Sequence, residues 1–368
     1  MGLLRLLLAL CVVLTHLPIA TLRLMNGALA VQAFFVVSGF YMALVLDGKY
    51  ASARLFYTNR LLRIFPGYVA MLPVAALALL ALDASATADR ALFAMAFAHP
   101  WTALLLGIEN LAIVGQEWLF WFRLTPDGAL QFDAAGPLPD DVHHVGWQAL
   151  LVPQSWSLSM ELLFYALAPA LARLRTGWLT LIAAASIGVR LTGHLLPVGY
   201  PVWQGRLFPA ELFMFVFGML AQRLLPVAAR VPARTGWIGL ALICGLIVLL
   251  PELHLPAEAA VWLLLIPLTL ALPFIFSATR RLALDRWLGE LSYPIYLVHL
   301  TVIGLVLKYA PPGAVWLALG GTLALALALQ LLVDRPLDRW RQGRLQRGGA
   351  AAPAAEKVES QPISRVLS

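Results

Sequence analysis

Charge is what this sequence has least of. Only 12% of its 368 residues are Asp, Glu, Lys or Arg, where a soluble domain carries about a quarter. Hydrophobic residues make up 61% and the mean hydropathy is +0.83. Such a chain cannot clothe a water-facing globule, and its long apolar runs read as a polytopic membrane protein. Cysteine is nearly absent too. Cys11 and Cys244 both lie in apolar runs, which excludes a disulfide framework and a cysteine zinc site. Acidic residues number 19 against 26 basic ones, a net charge of +7. The cations gather at the ends of apolar runs, where membrane topology accounts for them better than nucleic acid does. A repeat of period 20–50, a glycine-rich phosphate loop, a nucleophile elbow and a zinc-helix signature are all missing.

What is there begins with "MGLLRLLLALCVVLTHLPIA". Pro18 and Ala20 make a poor signal-peptidase site, so this run is read as a retained first span. Candidate helices follow at 3–20, 28–46, 62–82, 91–113, 153–172, 177–193, 207–225, 235–251, 259–278, 289–309 and 313–333. The clusters Lys49/Arg54/Arg60/Arg63, Arg173/Arg175, Arg223/Arg230/Arg234 and Arg280/Arg281/Arg286 fall on one side only if 91–113 does not cross. That segment holds His99-Pro100 and Glu109-Asn110 and is the weakest span. The expectation is an all-α membrane bundle of about ten crossings, with 91–113 re-entrant or interfacial and both termini cytoplasmic. The loop 115–150 carries Glu117, Asp127, Asp133, Asp140 and Asp141 against Arg123, which suits the outer face. Residues 1–336 form the membrane domain; 337–368, rich in Gly, Ala, Ser and Pro towards its end, reads as a disordered cytoplasmic tail.

Ionisable groups inside apolar helices are costly and default to functional hypotheses. Arg5 and His16 are eleven residues apart, about three turns, which places both on one helical face roughly 16 Å apart. Ser157, Glu161 and Tyr165 fall at i, i+4 and i+8, a polar stripe on an otherwise apolar helix. Ser292, Tyr296 and His299 repeat the pattern at i, i+4 and i+7, with Pro294 near the start of this helix tolerated if it lies in the first turn. Helix packing competes with function at each of these places, and surface anchoring competes at Arg60 and Arg63. "PDDVHH" groups Asp140, Asp141, His143 and His144, but without a helical spacing to pre-form a site no metal is assigned. Glu211 reads as a structural or substrate-side carboxylate, and Asp334-Arg335-Pro336 as a helix stop.

Six stretches in order resemble the acyltransferase-3 family of integral-membrane acyltransferases that modify surface polysaccharides. They are the Arg5/His16 spacing, "FFVVSGF" at 34–40, "RLLR" at 60–63, "WSLSMELLFY" at 156–165, "LSYPIYLVH" at 291–299 and "DRP" at 334–336. The resemblance implies transfer of an acyl group, usually acetyl, from cytoplasmic acyl-CoA to a sugar hydroxyl of an exopolysaccharide or lipopolysaccharide unit across the cytoplasmic membrane. It makes His16 the essential histidine with Arg5 its cationic companion, and Arg60 and Arg63 the donor-binding pair. Ser157 and Glu161 match its polar positions, with Tyr165, Ser292, Tyr296 and His299 as supporting pocket. Asp334 departs from the commoner Glu. Acyl-CoA enters as co-substrate, with no tightly bound cofactor; a carbohydrate acceptor, which can be lipid-linked, and the bilayer complete the partners.

The chemistry needs a hydroxyl made nucleophilic near neutral pH. His16 can serve as general base with Glu161 orienting it, or as a covalent acyl carrier. Arg5 can stabilise thioester-oxyanion or phosphate charge. The rival from another class is a transporter or flippase of a lipid-linked sugar, with Arg5, His16 and Glu161 lining its path.

Overall fold

The computed structural model describes residues 1–19, 24–47, 53–134, 136, 144–195, 200–311 and 313–347, excluding the side chains of 200–202 and 342–347. The chain is nearly all helix. Its helices are α1 (Gly2–Thr15), α2 (Gly27–Leu46), α3 (Ala53–Leu80), α4 (Arg90–Ala98), α5 (Pro100–Ala112), α6 (Trp156–Ala172), α7 (Thr176–Thr192) and α8 (Tyr200–Arg206). They continue with α9 (Phe208–Gln222), α10 (Leu225–Ala228), α11 (Ala233–Leu249), α12 (Ala257–Thr279), α13 (Ala283–Tyr309), α14 (Val315–Leu329) and α15 (Arg335–Arg347).

Helix α2 is apolar all round and sits inside the bundle, as a fully surrounded helix must be. It crosses α9 at backbone distance. A Cβ on Gly39 would lie 1.8 Å from the Phe215 carbonyl oxygen, and one on Gly218 would lie 1.9 Å from that of Val36. Small residues permit such crossings where lipid offers no competing apolar drive.

A second contact sets directions. Asp285, in the first turn of α13, accepts the backbone N–H groups of Gly2 at 2.8 Å and Leu3 at 2.9 Å. These are orphan donors at the start of α1, where a carboxylate also meets the helix dipole favourably. At the other end of α1, the His16 ring lies 5.4 Å from that of His299. Helices α1 and α13 therefore run parallel. Helix α3 shares their direction, since Tyr293 donates to the Ile64 carbonyl at 2.6 Å and Lys308 pairs with Asp83 at 2.7 Å. That lysine, with the Arg90 backbone N–H, holds the Asp83 carboxyl below its ordinary range. Helix α6 runs the opposite way: Gln154 donates to the Leu297 carbonyl, while Tyr57 at the start of α3 donates to that of Ala166.

This order decides the fate of the weakest span. Because α3 and α6 are antiparallel, everything between them starts and finishes at one end of the bundle. Helices α4 and α5 meet at a 115° bend at His99-Pro100, and neither alone, at about 14 and 20 Å, reaches across a core of about 30 Å. The pair turns back without crossing.

The count of ten crossings is not reproduced. Six helical stretches are long and apolar enough to span a membrane, or seven with the bent pair. A helix stands at each of the ten expected places, but α1, α6, α7 and α9 have only 14, 17, 17 and 15 residues, about 21–26 Å. Helix α1 ends at Thr15, short of the expected residue 20, with His16 as its cap. Helix α13 begins at Ala283, so Pro294 is interior and not in the first turn.

Two further departures concern loops. The fold is not purely helical, since β1 (Phe122–Leu124) pairs antiparallel with β2 (Leu130–Phe132) and β3 (His144–Val145). A turn at Thr125-Pro126-Asp127-Gly128, with Gly128 at φ 82°, closes the first hairpin, the turn chemistry expected of Pro and Gly there. Nor does Asp334-Arg335-Pro336 stop the chain. A π turn at Gln330–Asp334 leads into α15, with Pro336 in its first turn where a missing N–H is harmless. Residues 337–347 of the expected tail are thus helical, and 348–368 lie outside the described residues, as do Asp140, Asp141 and His143.

Cysteines placed at Ala53 and Asp127, in a Cys11→Ala/Cys244→Ala background, should react with impermeant maleimide from opposite faces of the membrane. Labelling from one face would contradict the arrangement of α3 and the sheet.

Candidate functional site

The site grows from a crossing of five helices with α15. Arg5 comes from α1, Ser38 and Tyr41 from α2, and Arg60 and Arg63 from α3. Ser157, Glu161 and Tyr165 come from α6, Ser292, Tyr293 and Tyr296 from α13, and Arg341 from α15. They line a cavity of about 160 Å³. Eight of the ten residues singled out from sequence meet in this one wall: Arg5, Arg60, Arg63, Ser157, Glu161, Tyr165, Ser292 and Tyr296.

Helical spacing explains why they converge. The i, i+4, i+8 stripe on α6 presents all three polar groups to one side. Glu161 accepts hydrogen bonds there from Ser38 at 2.7 Å and from Tyr165. Ser157 and the Tyr296 hydroxyl are 2.7 Å apart, and Tyr296 donates onward to the Gln154 carbonyl at 2.5 Å. Arg5 extends towards the Tyr41 ring, 5.8 Å from its centre. The lining thus sets four guanidinium groups against one carboxylate, a cavity suited to an anion.

Both histidines lie apart from this wall. His16 is exposed at the end of α1, and His299 is fully buried beneath it. The ring of Tyr296, which lines the cavity, lies 5.8 Å from that of His299, which in turn neighbours His16. The expectation that Glu161 orients His16 is not met. No hydrogen bond joins them, because Glu161 is turned into the cavity and held by Ser38 and Tyr165, while His16 faces His299.

Sequence reasoning missed Arg341, Ser38, Tyr41 and Tyr293. Arg341 was assigned to the tail, yet α15 returns it to the arginine end of the cavity, where it pairs with Asp338 at 3.0 Å, an i, i+3 spacing readable in the chain. Asp334 lines a small polar recess beside Arg63 and Tyr293. Arg206 was missed as well: its guanidinium carbon lies 3.4 Å from the Trp156 ring centre and 4.3 Å from that of Phe120, a cation between aromatic faces.

Glu211 belongs to a separate, architectural cluster. Fully buried in the first turn of α9, it accepts from Arg190 and, at 3.2 Å, from Gln32. Arg190, in the last turn of α7, also grips Glu258 of α12 at 2.6 Å and the Gln204 carbonyl at 2.7 Å. Each charge sits at the helix end its dipole favours. Nearer the sheet, burial pushes the Glu117 carboxyl above its ordinary range. Among the described residues, no three His, Cys, Asp or Glu side chains group to hold a metal.

Residues 1–333 match a family model described as an acyltransferase domain. The chain is also 27% identical over 344 residues to the exopolysaccharide production protein ExoZ of Rhizobium meliloti (strain 1021), covering 90% of this chain and 95% of that one. No solved structure matches.

Replacing Arg190 with Met should strand Glu211 in the interior and lower stability by about 3–5 kcal/mol. Thermal unfolding in detergent, read beside Glu258→Gln, which leaves the Arg190–Glu211 pair intact and should shift the midpoint less, measures this.

Proposed function

This chain belongs to the acyltransferase-3 family, and on that premise we propose that it moves an acyl group, acetyl in the simplest case, from cytoplasmic acyl-CoA to a hydroxyl of a surface polysaccharide or its lipid-linked precursor. The observation that carries this reading is the cavity itself, with Arg5, Arg60, Arg63 and Arg341 in one lining. Phosphates of a nucleotide thioester bind guanidinium forks of this kind. At about 160 Å³ the cavity takes the acyl-thioester end, well under the about 300–1,000 Å³ that encloses a whole small-molecule ligand. The nucleotide stays at the arginine-rich mouth.

In the reaction the acceptor hydroxyl oxygen attacks the thioester carbonyl carbon and the carbon–sulfur bond breaks. The hydroxyl proton passes to His16 and ends on the departing sulfur as the free thiol. His16 suits the task because imidazole exchanges protons near neutral pH and because its ring is exposed to an acceptor. Ser157 and Tyr296, hydrogen-bonded at the cavity's far end, stand where the thioester must pass towards the histidines. Glu161, fixed by Ser38 and Tyr165, balances the arginines inside the cavity. The ExoZ relative, named for exopolysaccharide production, supports a glycan acceptor here.

Two measurements test the reading. Arg63→Ala should weaken acyl-CoA binding about ten-fold or more, the weight of one charged phosphate contact; unchanged binding in both Arg60→Ala and Arg63→Ala would return the pair to membrane anchoring. His16→Gln should retain acyl-CoA binding and lose about 10²–10⁴-fold in acyl transfer to glycan. Activity within a few-fold of wild type would remove His16 from the chemistry. Glycan movement without acyl-CoA consumption would favour a transporter.

A further inference from the structure

His299 is fully buried, and its Nδ1 lies 2.6 Å from the Tyr296 carbonyl oxygen. A carbonyl only accepts, so Nδ1 carries the proton and the neutral ring keeps a bare lone pair on Nε2. That nitrogen is enclosed and has no hydrogen-bond partner. An enclosed acceptor without a donor is destabilising, so its retention asks for a donor close by.

The candidates are few. The Tyr296 hydroxyl donates to the Gln154 carbonyl and is paired with Ser157. The Gln154 amide donates to the Leu297 carbonyl. His16 remains, its ring centre 5.4 Å from that of His299. Two imidazoles joined by one N–H···N bond of about 3 Å have their centres a little over 5 Å apart. The planes are inclined by 38°, and His16, exposed as the cap of α1, can turn into line.

We infer that His299 is the positioning residue of His16: its Nε2 accepts an N–H from the His16 ring and so fixes which His16 nitrogen keeps its lone pair for the acceptor. This rests on His16 being the reacting group, as general base or as acyl carrier, since either role needs one defined tautomer. It also gives His16 the partner that Glu161 does not provide. A buried, neutral imidazole suits the position better than a carboxylate would. It accepts a hydrogen bond without placing a second full charge in an apolar interior.

The test uses the full chain in lipid nanodiscs, with acyl-CoA binding, KM for acyl-CoA and kcat for acyl transfer read separately. His299→Leu keeps bulk and removes the acceptor; His299→Gln keeps an acceptor oxygen close to the Nε2 position. The Leu variant should bind acyl-CoA as wild type does, with KM unchanged and kcat reduced about 10- to 100-fold, the scale on which losing the partner that orients a metal-ligating histidine is felt. The Gln variant should recover most of that loss. A Leu variant with wild-type kcat overturns the inference. So does a Gln variant no better than Leu, which would mark His299 as packing alone. If the Leu variant fails to fold, ¹⁵N-histidine NMR of the wild type decides. His299 protonated at Nδ1 with Nε2 accepting from His16 is the expected pattern, and Nε2 protonated overturns it. Wild-type protein that transfers no acyl group would overturn the acyltransferase reading instead, with the NMR result still judging the pairing.

Discussion

The alignment of α1 along α13 is the contact on which the rest of the site depends. Asp285 captures the first backbone N–H groups of α1, and from there two parallel helices rise at the same 1.5 Å per residue. Parallel helices keep their register, so one contact at residues 2 and 285 dictates those further along. A Cβ on Gly2 would meet the Asp285 carbonyl at 1.4 Å, which shows how closely the backbones approach there. The consequence is a fixed division of labour: Arg5 reaches the cavity, and His16, three turns on, arrives over His299.

Charge in an apolar bundle is tolerable only where it is collected and answered, and the protein does this in two different ways. In the Arg190–Glu211–Glu258 cluster every charge has a protein partner, at helix ends whose dipoles help. That cluster is closed, and it ties α7, α9 and α12 to Gln32 of α2. The cavity collects four arginines from α1, α3 and α15 around a single glutamate whose bonds are with hydroxyl groups. Four guanidinium groups and one carboxylate share that lining.

How much of this was legible in the chain follows from where each signal is local. The stripes Ser157/Glu161/Tyr165 and Ser292/Tyr296/His299 are periodic on a single helix, so their shared faces could be read, and all but His299 line the one cavity. Arg341 could not be read in this way, because Pro336 suggests an end and only the π turn before it keeps the helix going. The pairing of Glu161 with His16 failed for a related reason. Depth along a helix can be counted from sequence, but rotation about each axis decides which way a side chain faces, and no pattern within one helix reports the rotation of another. The count of ten crossings goes unconfirmed where apolar runs outlast their helices, as at His16, where the run continues while the backbone leaves helical geometry. The small sheet escaped notice because two- and three-residue strands are too short to show an alternation.

The separation of arginines and histidines is the last constraint, and it bears on the donor. Arg5 and His16 are about 16 Å apart along α1, and neither His16 nor His299 is in the cavity lining. A donor carrying its acyl group close to its charge could satisfy one end or the other. A donor whose phosphates and thioester are joined by a long flexible arm can satisfy both, with its charge held at the arginines while the neutral, less hydrated thioester enters the apolar interior. Burying a thioester costs far less than burying a phosphate. For the donor proposed, the end that enters is then the one an apolar bundle admits.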